Sequence, residues 1–219
     1  MGARAKIPTW MAPADEFERE ARRRGYRRVA GVDEAGRGPW AGPVVAAAVV
    51  WPISAPSIGI RDSKQLSAEE RERIYHLILE RARGVGVGFA DAGEIDRLNI
   101  LEATRLAMAR ALARLRPPAD YVLTDALTLP FVSLPLRPII KGDALSLSIA
   151  AASIVAKVTR DRLMAEYHEQ YPQYNFLSHK GYGTPEHLRL LTQFGPSPIH
   201  RLSFRPVQEA ASARPLGAS

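Results

Sequence analysis

Residues 28–51, RVAGVDEAGRGPWAGPVVAAAVVW, carry the strongest fold signal in the chain. Arg28 to Val32 is predicted as a strand that runs into the acidic pair Asp33-Glu34. Pro43 to Trp51 is apolar throughout, which predicts a strand covered on both faces rather than one alternating between core and water. Gly36-Arg37-Gly38-Pro39 lies between the two. Glycines there admit positive φ and the close approach of another backbone. Exposed N–H and C=O groups in such a loop can contact a phosphate or a sugar hydroxyl. The stretch has neither a dinucleotide fingerprint nor the Lys-Ser/Thr of a P-loop, and taken alone it also fits a plain tight turn.

On the N-terminal side, Asp15 to Arg24 is polar and charged and predicts a short surface helix. Downstream, Ser67 is a good N-cap, with Glu69 and Glu70 in the first turn, for a helix to about Arg83. Val85, Val87 and Phe89 alternate with glycines, giving a third strand with one thin face. Glu94 to Arg116 is helical, broken near Asn99, and ends at Pro117-Pro118. Tyr121 to Thr124 is a short buried strand that delivers Asp125. A Pro-rich link from Pro130 to Pro138 leads to a strand at Ile139-Ile140 and then to Gly142-Asp143. Leu145 to Tyr171 is the longest helical stretch, apolar all round in its first half and therefore buried there. Thr184-Pro185-Glu186 opens a final helix that closes at Gly195.

Strands interleaved with helices predict an α/β domain, a mixed central sheet flanked by helices with a helical C-terminal segment. The expected boundaries are a leader at 1–27, one domain at 28–207 and a disordered tail at 208–219, beginning near Gln208. The chain of 219 residues is 46% hydrophobic and 24% charged, enough for a sizeable core. Its net charge of +7 points toward polyanionic partners, although a bland basic surface has the same sign. Without cysteine, disulfides and thiolate metal sites are excluded. No apolar run reaches a membrane span and the N-terminus lacks a signal-like apolar region, so a soluble cytoplasmic protein is expected. The basic residues are 25 arginines and only five lysines: Lys6, Lys64, Lys141, Lys157 and Lys180. Lysines that survive such a bias are candidates for places where a compact ammonium matters.

Asp33 with Glu34, Asp125 and Asp143 follow apolar segments: VAGV, YVLT and PIIKG. A carboxylate beside a buried strand is costly unless paired or metal-bound, and several on one sheet edge would repel. A divalent cation resolves both problems, and all-oxygen ligands suit Mg²⁺ or Mn²⁺ rather than zinc. Two such ions roughly 4 Å apart form the clamp used in phosphodiester hydrolysis. Any one of these acids alone also fits a helix cap or a strand-ending turn. The five histidines show no metal-ligand spacing, and only His179 draws attention.

The string GVDEAGRGPWAGPVVAAAVV closely resembles the signature of ribonuclease HII, the bacterial type 2 ribonuclease H. DSKQLS (62–67), EIDRLNI (94–100), YVLTD (121–125), KGD (141–143), ASIVAKVTRD (152–161) and HKGYGT (179–184) follow in family order. The resemblance spans about Arg28 to Val207. It implies a ribonuclease H-like fold with four metal-binding and catalytic carboxylates, which map to Asp33, Glu34, Asp125 and Asp143. It further implies that Gly36, Arg37 and Gly38 read the ribose 2′-OH, while Tyr182 stacks on the deoxyribose to its 3′ side. Tyr182 alone also fits a packing tyrosine in a glycine turn. Lys64, Lys141, Lys157 and Lys180 fall inside these motifs, as expected of phosphate contacts, with Lys157 and Arg160 spaced to share a helix face. Ser63, Ser153 and Asn99 are weaker candidates for backbone contacts. Arg37 and the short leader argue against the related ribonuclease HIII, which carries threonine or lysine between the loop glycines and an extra N-terminal domain.

The implied activity is cleavage of RNA–DNA hybrids, and of duplex DNA 5′ of single ribonucleotides, leaving 3′-OH and 5′-phosphate, with two Mn²⁺ or Mg²⁺ ions per site. A monomer is expected, and contact with a sliding clamp is left open by the sequence. A non-catalytic nucleic-acid-binding module would need no such acids. A DNA exonuclease or junction resolvase would need no sugar-sensing loop and tyrosine.

Overall fold

The computed structural model describes residues 13–53 and 55–212. Five strands form one mixed sheet in the order β3-β2-β1-β4-β5: β1 (Val29–Ala35), β2 (Val44–Val50), β3 (Gly84–Ala90), β4 (Tyr121–Asp125) and β5 (Leu136–Ile139). Only β2 runs against the others, antiparallel to both β1 and β3, while β4 lies parallel to β1 and β5 parallel to β4. The apolar run of β2 is buried at every position. Val44, Ala46, Ala48 and Val50 face the layer formed by α4 (Ile100–Ala113), and Ala47 and Val49 face α6 (Leu147–Gln170) with α2 (Ala68–Arg81). Two covered faces are what an unbroken Val/Ala strand requires.

The thin face of β3 has a packing cause. A Cβ at Gly88 would lie 2.2 Å from the Ala107 carbonyl oxygen and 2.5 Å from the Ala111 nitrogen of α4. The glycines thus let a helix backbone sit directly on a strand. Asn99 divides α3 (Ala92–Leu98) from α4 at φ 69°, and its side chain accepts from the N–H groups of Leu101 and Glu102.

Several boundaries differ from the sequence-based expectation. The fifth strand ends at Ile139 and occupies the end of the Pro-rich link, because an edge strand paired on one side tolerates Pro138. The long helical stretch forms as α6 but starts two residues later than expected, at Leu147, because the Ser146 side chain caps it by accepting from Ile149 N–H; a separate short helix, α5 (Gly142–Leu145), precedes it. The short helix expected over Asp15–Arg24, within the stretch assigned to a leader, is α1 (Glu16–Arg23). The buried Glu18 carboxylate accepts from the Ser146 hydroxyl (2.7 Å) and from Ser148 N–H (2.9 Å). An anion at the first turn of α6 complements its dipole, so the N-terminal segment is part of the domain.

At the other end, α7 (Phe176–His179) and α8 (Pro185–Phe194) are followed by α9 (Arg205–Ser212). The helix opened by Thr184 is therefore not the last. Val207 and Ala210 are buried with Leu191, which carries order past Gln208 through Ser212. Residues 213–219 and 1–12 lie outside the described residues.

Gly88→Ala is expected to lower the melting temperature, since overpacking of this kind costs about 1–3 kcal/mol and each kcal/mol is worth roughly 2–4 °C at this size. Thermal melting of the variant checks it. An unchanged midpoint would mean that α4 does not press on β3.

Candidate active site

Asp33 is the fifth residue of β1, and the parallel register that pairs Val32 with Thr124 sets Asp33 beside Asp125, the last residue of β4. Asp143 joins them from the first turn of α5. It is an acid after a strand only in the loose sense that β5 and a left-handed Lys141 (φ 59°) precede it. Asp33, Asp125 and Asp143 each offer a carboxylate oxygen, and the three atoms lie within 4.8 Å of one another. Asp33 and Asp143 are buried. Antiparallel pairing sets Asp33 and Glu34 opposite Ala47 and Ala46, whose methyl groups leave room for acidic side chains.

The local bonds hold these carboxylates without neutralising them. Asp33 accepts from Glu34 N–H, and Asp125 from Gly142 N–H, both at 2.8 Å. Lys64 Nζ stands 3.3 Å from Asp143, and Arg37 is 3.4 Å from Glu34. Burial pushes the Asp33 carboxyl well above the usual range, and the charges of Glu34 and Asp125 push it further. Burial likewise raises Glu34, opposed by Arg37, and raises Asp125, opposed by the Gly142 N–H. Burial weighs against the Lys64 ammonium, but Asp143, Asp62 and Asp33 outweigh it and raise its pKa. Glu34 Oε2 is buried without a partner. Converging oxygens, acids reluctant to ionise and an orphaned acceptor together fit a hard divalent cation.

Two adjoining cavities share Lys64 and Asp125 and form one cleft. The first is walled by Asp33, Glu34, Gly36, Arg37, Gly38, Ser63, Arg71, Ser153, Lys157 and Tyr182. The second adds Lys141 and Asp143. The Ser63 and Ser153 hydroxyls are buried and bonded to each other at 2.9 Å. Lys157 is paired with Asp161 at 2.6 Å, and Asp161 also faces Arg71 at 3.9 Å. Lys180 is not among the residues that wall the cleft; its left-handed backbone (φ 51°) shapes the loop carrying Tyr182. Asn99 is likewise absent from the wall, its side chain being spent on capping α4.

Arg160, spaced to share a helix face with Lys157, does not wall the cleft as Lys157 does. It is 1% exposed and donates to the carbonyls of Pro43, Ala41 and Lys180. Arg201, not singled out by the sequence, donates to the carbonyls of Gly36 (2.6 Å), Arg37 (2.9 Å) and Gly42 (3.0 Å). Burial and the neighbouring Arg160 charge both lower its pKa. The Tyr182 carbonyl is held at 2.9 Å by His187 Nδ1, whose Nε2 lies 3.0 Å from His200 Nε2. Ser197 N–H donates to His200 Nδ1 at 2.9 Å. One set of neutral tautomers satisfies this relay: His187 protonated on Nδ1 and His200 on Nε2. His179 stacks on His187 and accepts from Gly181 N–H. Burial, followed by the neighbouring rings, lowers the pKa of His187 to about 4 and of His200 to about 3. Nothing in residue spacing signals these roles, because each depends on which distant carbonyl the side chain meets.

A family model for ribonuclease HII matches residues 30–207. The ribonuclease HII of Bacillus licheniformis is 57% identical over 199 residues, covering 91% of this chain and 77% of its own. That of Chloroflexus aurantiacus is 55% identical over 205 residues, covering 91% and 97%. The solved structure of ribonuclease H2 from Pyrococcus horikoshii superposes with a TM-score of 0.73 at 28% identity, covering 85% of this chain and 98% of that one.

Two outcomes are expected. Without cations, Asp33→Asn melts no lower than the parent, because it removes a carboxyl whose raised folded pKa makes its contribution fade as pH rises. Millimolar Mg²⁺ or Mn²⁺ then raises the melting temperature of the parent but not of the variant; equal shifts would count against a cation among these acids. The histidines act with the opposite sign. Between their folded pKa values and about 6.5 the unfolded chain binds more protons, so their contribution is complete above about pH 6.5 and lost as pH falls toward 4. His200→Asn should therefore lower stability at neutral pH yet flatten its decline from about pH 7 to pH 5. A parental slope in that variant would contradict the neutral relay.

Proposed function

The chain belongs to the ribonuclease HII family, and from that premise we propose that Asp33, Glu34, Asp125 and Asp143 are the catalytic and cation-holding groups of its active site. As a member of that family it is a ribonuclease H, a hydrolase that cuts within the RNA strand of RNA–DNA hybrids and depends on divalent metal. The observation that carries the site assignment is the three carboxylate oxygens within 4.8 Å of one another, opening on a cleft walled by Gly36–Gly38 and Tyr182.

In this reading the enzyme also cuts duplex DNA on the 5′ side of a single ribonucleotide. Water adds its oxygen to the phosphorus, the bond to the preceding 3′ oxygen breaks, and the strand is left with a 3′-hydroxyl and a 5′-phosphate. Two Mn²⁺ or Mg²⁺ ions, held by Asp33, Asp125 and Asp143, would supply positive charge for activating the water and stabilising the departing oxygen. Asp33, Asp125 and Asp143 hold that charge in place, and Glu34 completes the set with its unpartnered oxygen. Lys64 orients Asp143 through their ion pair. The backbone of Gly36, Arg37 and Gly38 contacts the ribose 2′-OH, and the half-exposed Tyr182 ring packs on the next sugar, accommodating a deoxyribose better than one that carries a second hydroxyl. Lys141, Lys157, Ser63 and Ser153 contact backbone phosphates, with Lys180 helping from the Tyr182 loop; such contacts bring affinity and salt dependence but little sequence preference. The protein acts as a monomer in the cytoplasm, where it removes ribonucleotides from DNA.

The test is cleavage of a labelled duplex carrying one ribonucleotide, with Mg²⁺, Mn²⁺ or neither, and mapping of the cut. Cleavage is expected only with a divalent ion, 5′ of the ribonucleotide. Asp33→Asn is expected to lower the rate by about 10²-fold or more while the hybrid still binds. Undiminished cleavage by that variant would refute the site assignment, and cleavage of all-DNA duplex would refute the substrate.

A further inference from the structure

The loop at Gly36–Gly38 and the Tyr182 ring come from opposite ends of the sequence, yet Gly38 sits against the ring: a Cβ built on it would lie 3.9 Å from Tyr182 Cε1. The segment that follows the first loop also packs directly on the Tyr182 loop: Trp40 N–H donates to the Gly181 carbonyl at 2.8 Å, the Trp40 ring lies against Gly183 and the Ala41 carbonyl against Gly181. Two buried guanidinium groups hold the rest. Arg201 grips the first loop through the carbonyls of Gly36 and Arg37 and the segment after it through Gly42. Arg160 grips that same segment through Ala41 and Pro43, and reaches the Tyr182 loop through the Lys180 carbonyl at 3.0 Å. Its guanidinium carbon lies 5.8 Å from the centre of the Tyr182 ring.

All six of these hydrogen bonds end on backbone carbonyls. Two adjacent buried cations held by neutral acceptors are an expensive arrangement if stability alone is at stake, and an apolar pair would pack more cheaply. What the planar forks provide is direction: each fixes several carbonyls at once. The frame is tied to the long helix α6 through Arg160. It also explains Gly36 beyond its φ of 97°, since a Cβ there would lie 2.1 Å from Arg160 Nε. Reading a ribose followed by a deoxyribose requires the hydroxyl-contacting backbone and the sugar-packing ring to keep their separation to within about 0.5 Å.

We propose that Arg160 and Arg201 are positioning residues that set the distance between the Gly36–Gly38 backbone and the Tyr182 ring, and so determine how strongly the enzyme prefers a single ribonucleotide in DNA over a continuous RNA–DNA hybrid. The proposal rests on the function read above, in which those two elements sense the sugar step.

The measurement is kcat and KM on both substrates for Arg201→Lys and Arg160→Lys, with Tyr182→Ala as reference and thermal melting to confirm folding. A lysine keeps the charge and loses the fork. The ratio of kcat/KM on the single-ribonucleotide duplex to that on the hybrid should fall about 10-fold or more in each lysine variant, through kcat, with KM on the hybrid within about threefold of the parent. Tyr182→Ala should lower the same ratio. Equal losses on the two substrates, or an unchanged ratio, would overturn the proposal by reducing the arginines to scaffolding, as would failure of both lysine variants to fold. If Tyr182→Ala leaves the ratio unchanged, the sugar-sensing reading falls and this inference with it. A ratio that falls in Tyr182→Ala alone removes only the inference.

Discussion

Parallel pairing of β1 with β4 forces Asp33 against Asp125, and much of the structure around the site answers that forced approach. Carboxylates so placed repel, and burial denies them water. They stay together because β1 is the central strand of a five-stranded sheet, with β2 and β4 as its neighbours and helices packed on both faces. Asp143 adds to the strain from α5 and is paired with Lys64. A rigid apolar frame thus supports a polar cluster that would disperse in a softer one, and it leaves the cluster reliant on positive charge from outside the chain.

The substrate-facing loops are supported differently. Behind Gly36–Gly38 and Tyr182 stand two arginines bonded to carbonyls and a relay of neutral histidines, flanked by Tyr174 and Phe176. Apolar packing is non-directional, whereas a guanidinium fork or an imidazole with an assigned proton holds a carbonyl at a set distance and angle. Loops that must present backbone atoms to a sugar gain from that kind of support. The fold uses a hydrophobic core where it needs stiffness and buried polar groups where it needs placement.

Much of this was legible in the chain. The Val/Ala run of β2, the glycine alternation of β3, the Ser67 cap of α2 and the break at Asn99 are local features, and each appears where residue type and period place it. The glycine–arginine–glycine loop and the four acids stand out for the same reason. Structure departs from local signal where a long-range partner overrides it. Pro138 enters a strand because that strand is an edge. The long helix starts at Leu147, just inside its expected start, because the Ser146 hydroxyl and the Glu18 carboxylate provide a cap. Arg160, spaced to lie beside Lys157, turns inward because carbonyls of the 41–43 segment and Lys180 await it, and Arg201 carries no local mark at all.

Sequence alone determined that this is an α/β chain with a doubly covered strand, a flexible-backbone loop and acids following buried segments, since periodicity and side-chain chemistry are properties of neighbours in the chain. Tertiary structure decided which of those acids meet, that Glu34 keeps a buried oxygen without a partner, that Ser63 bonds Ser153, and that basic residues divide into those walling the cleft and those buried behind its loops. These depend on strand register and on the carbonyls of remote segments, which pair only when the sheet and its helices have closed around them.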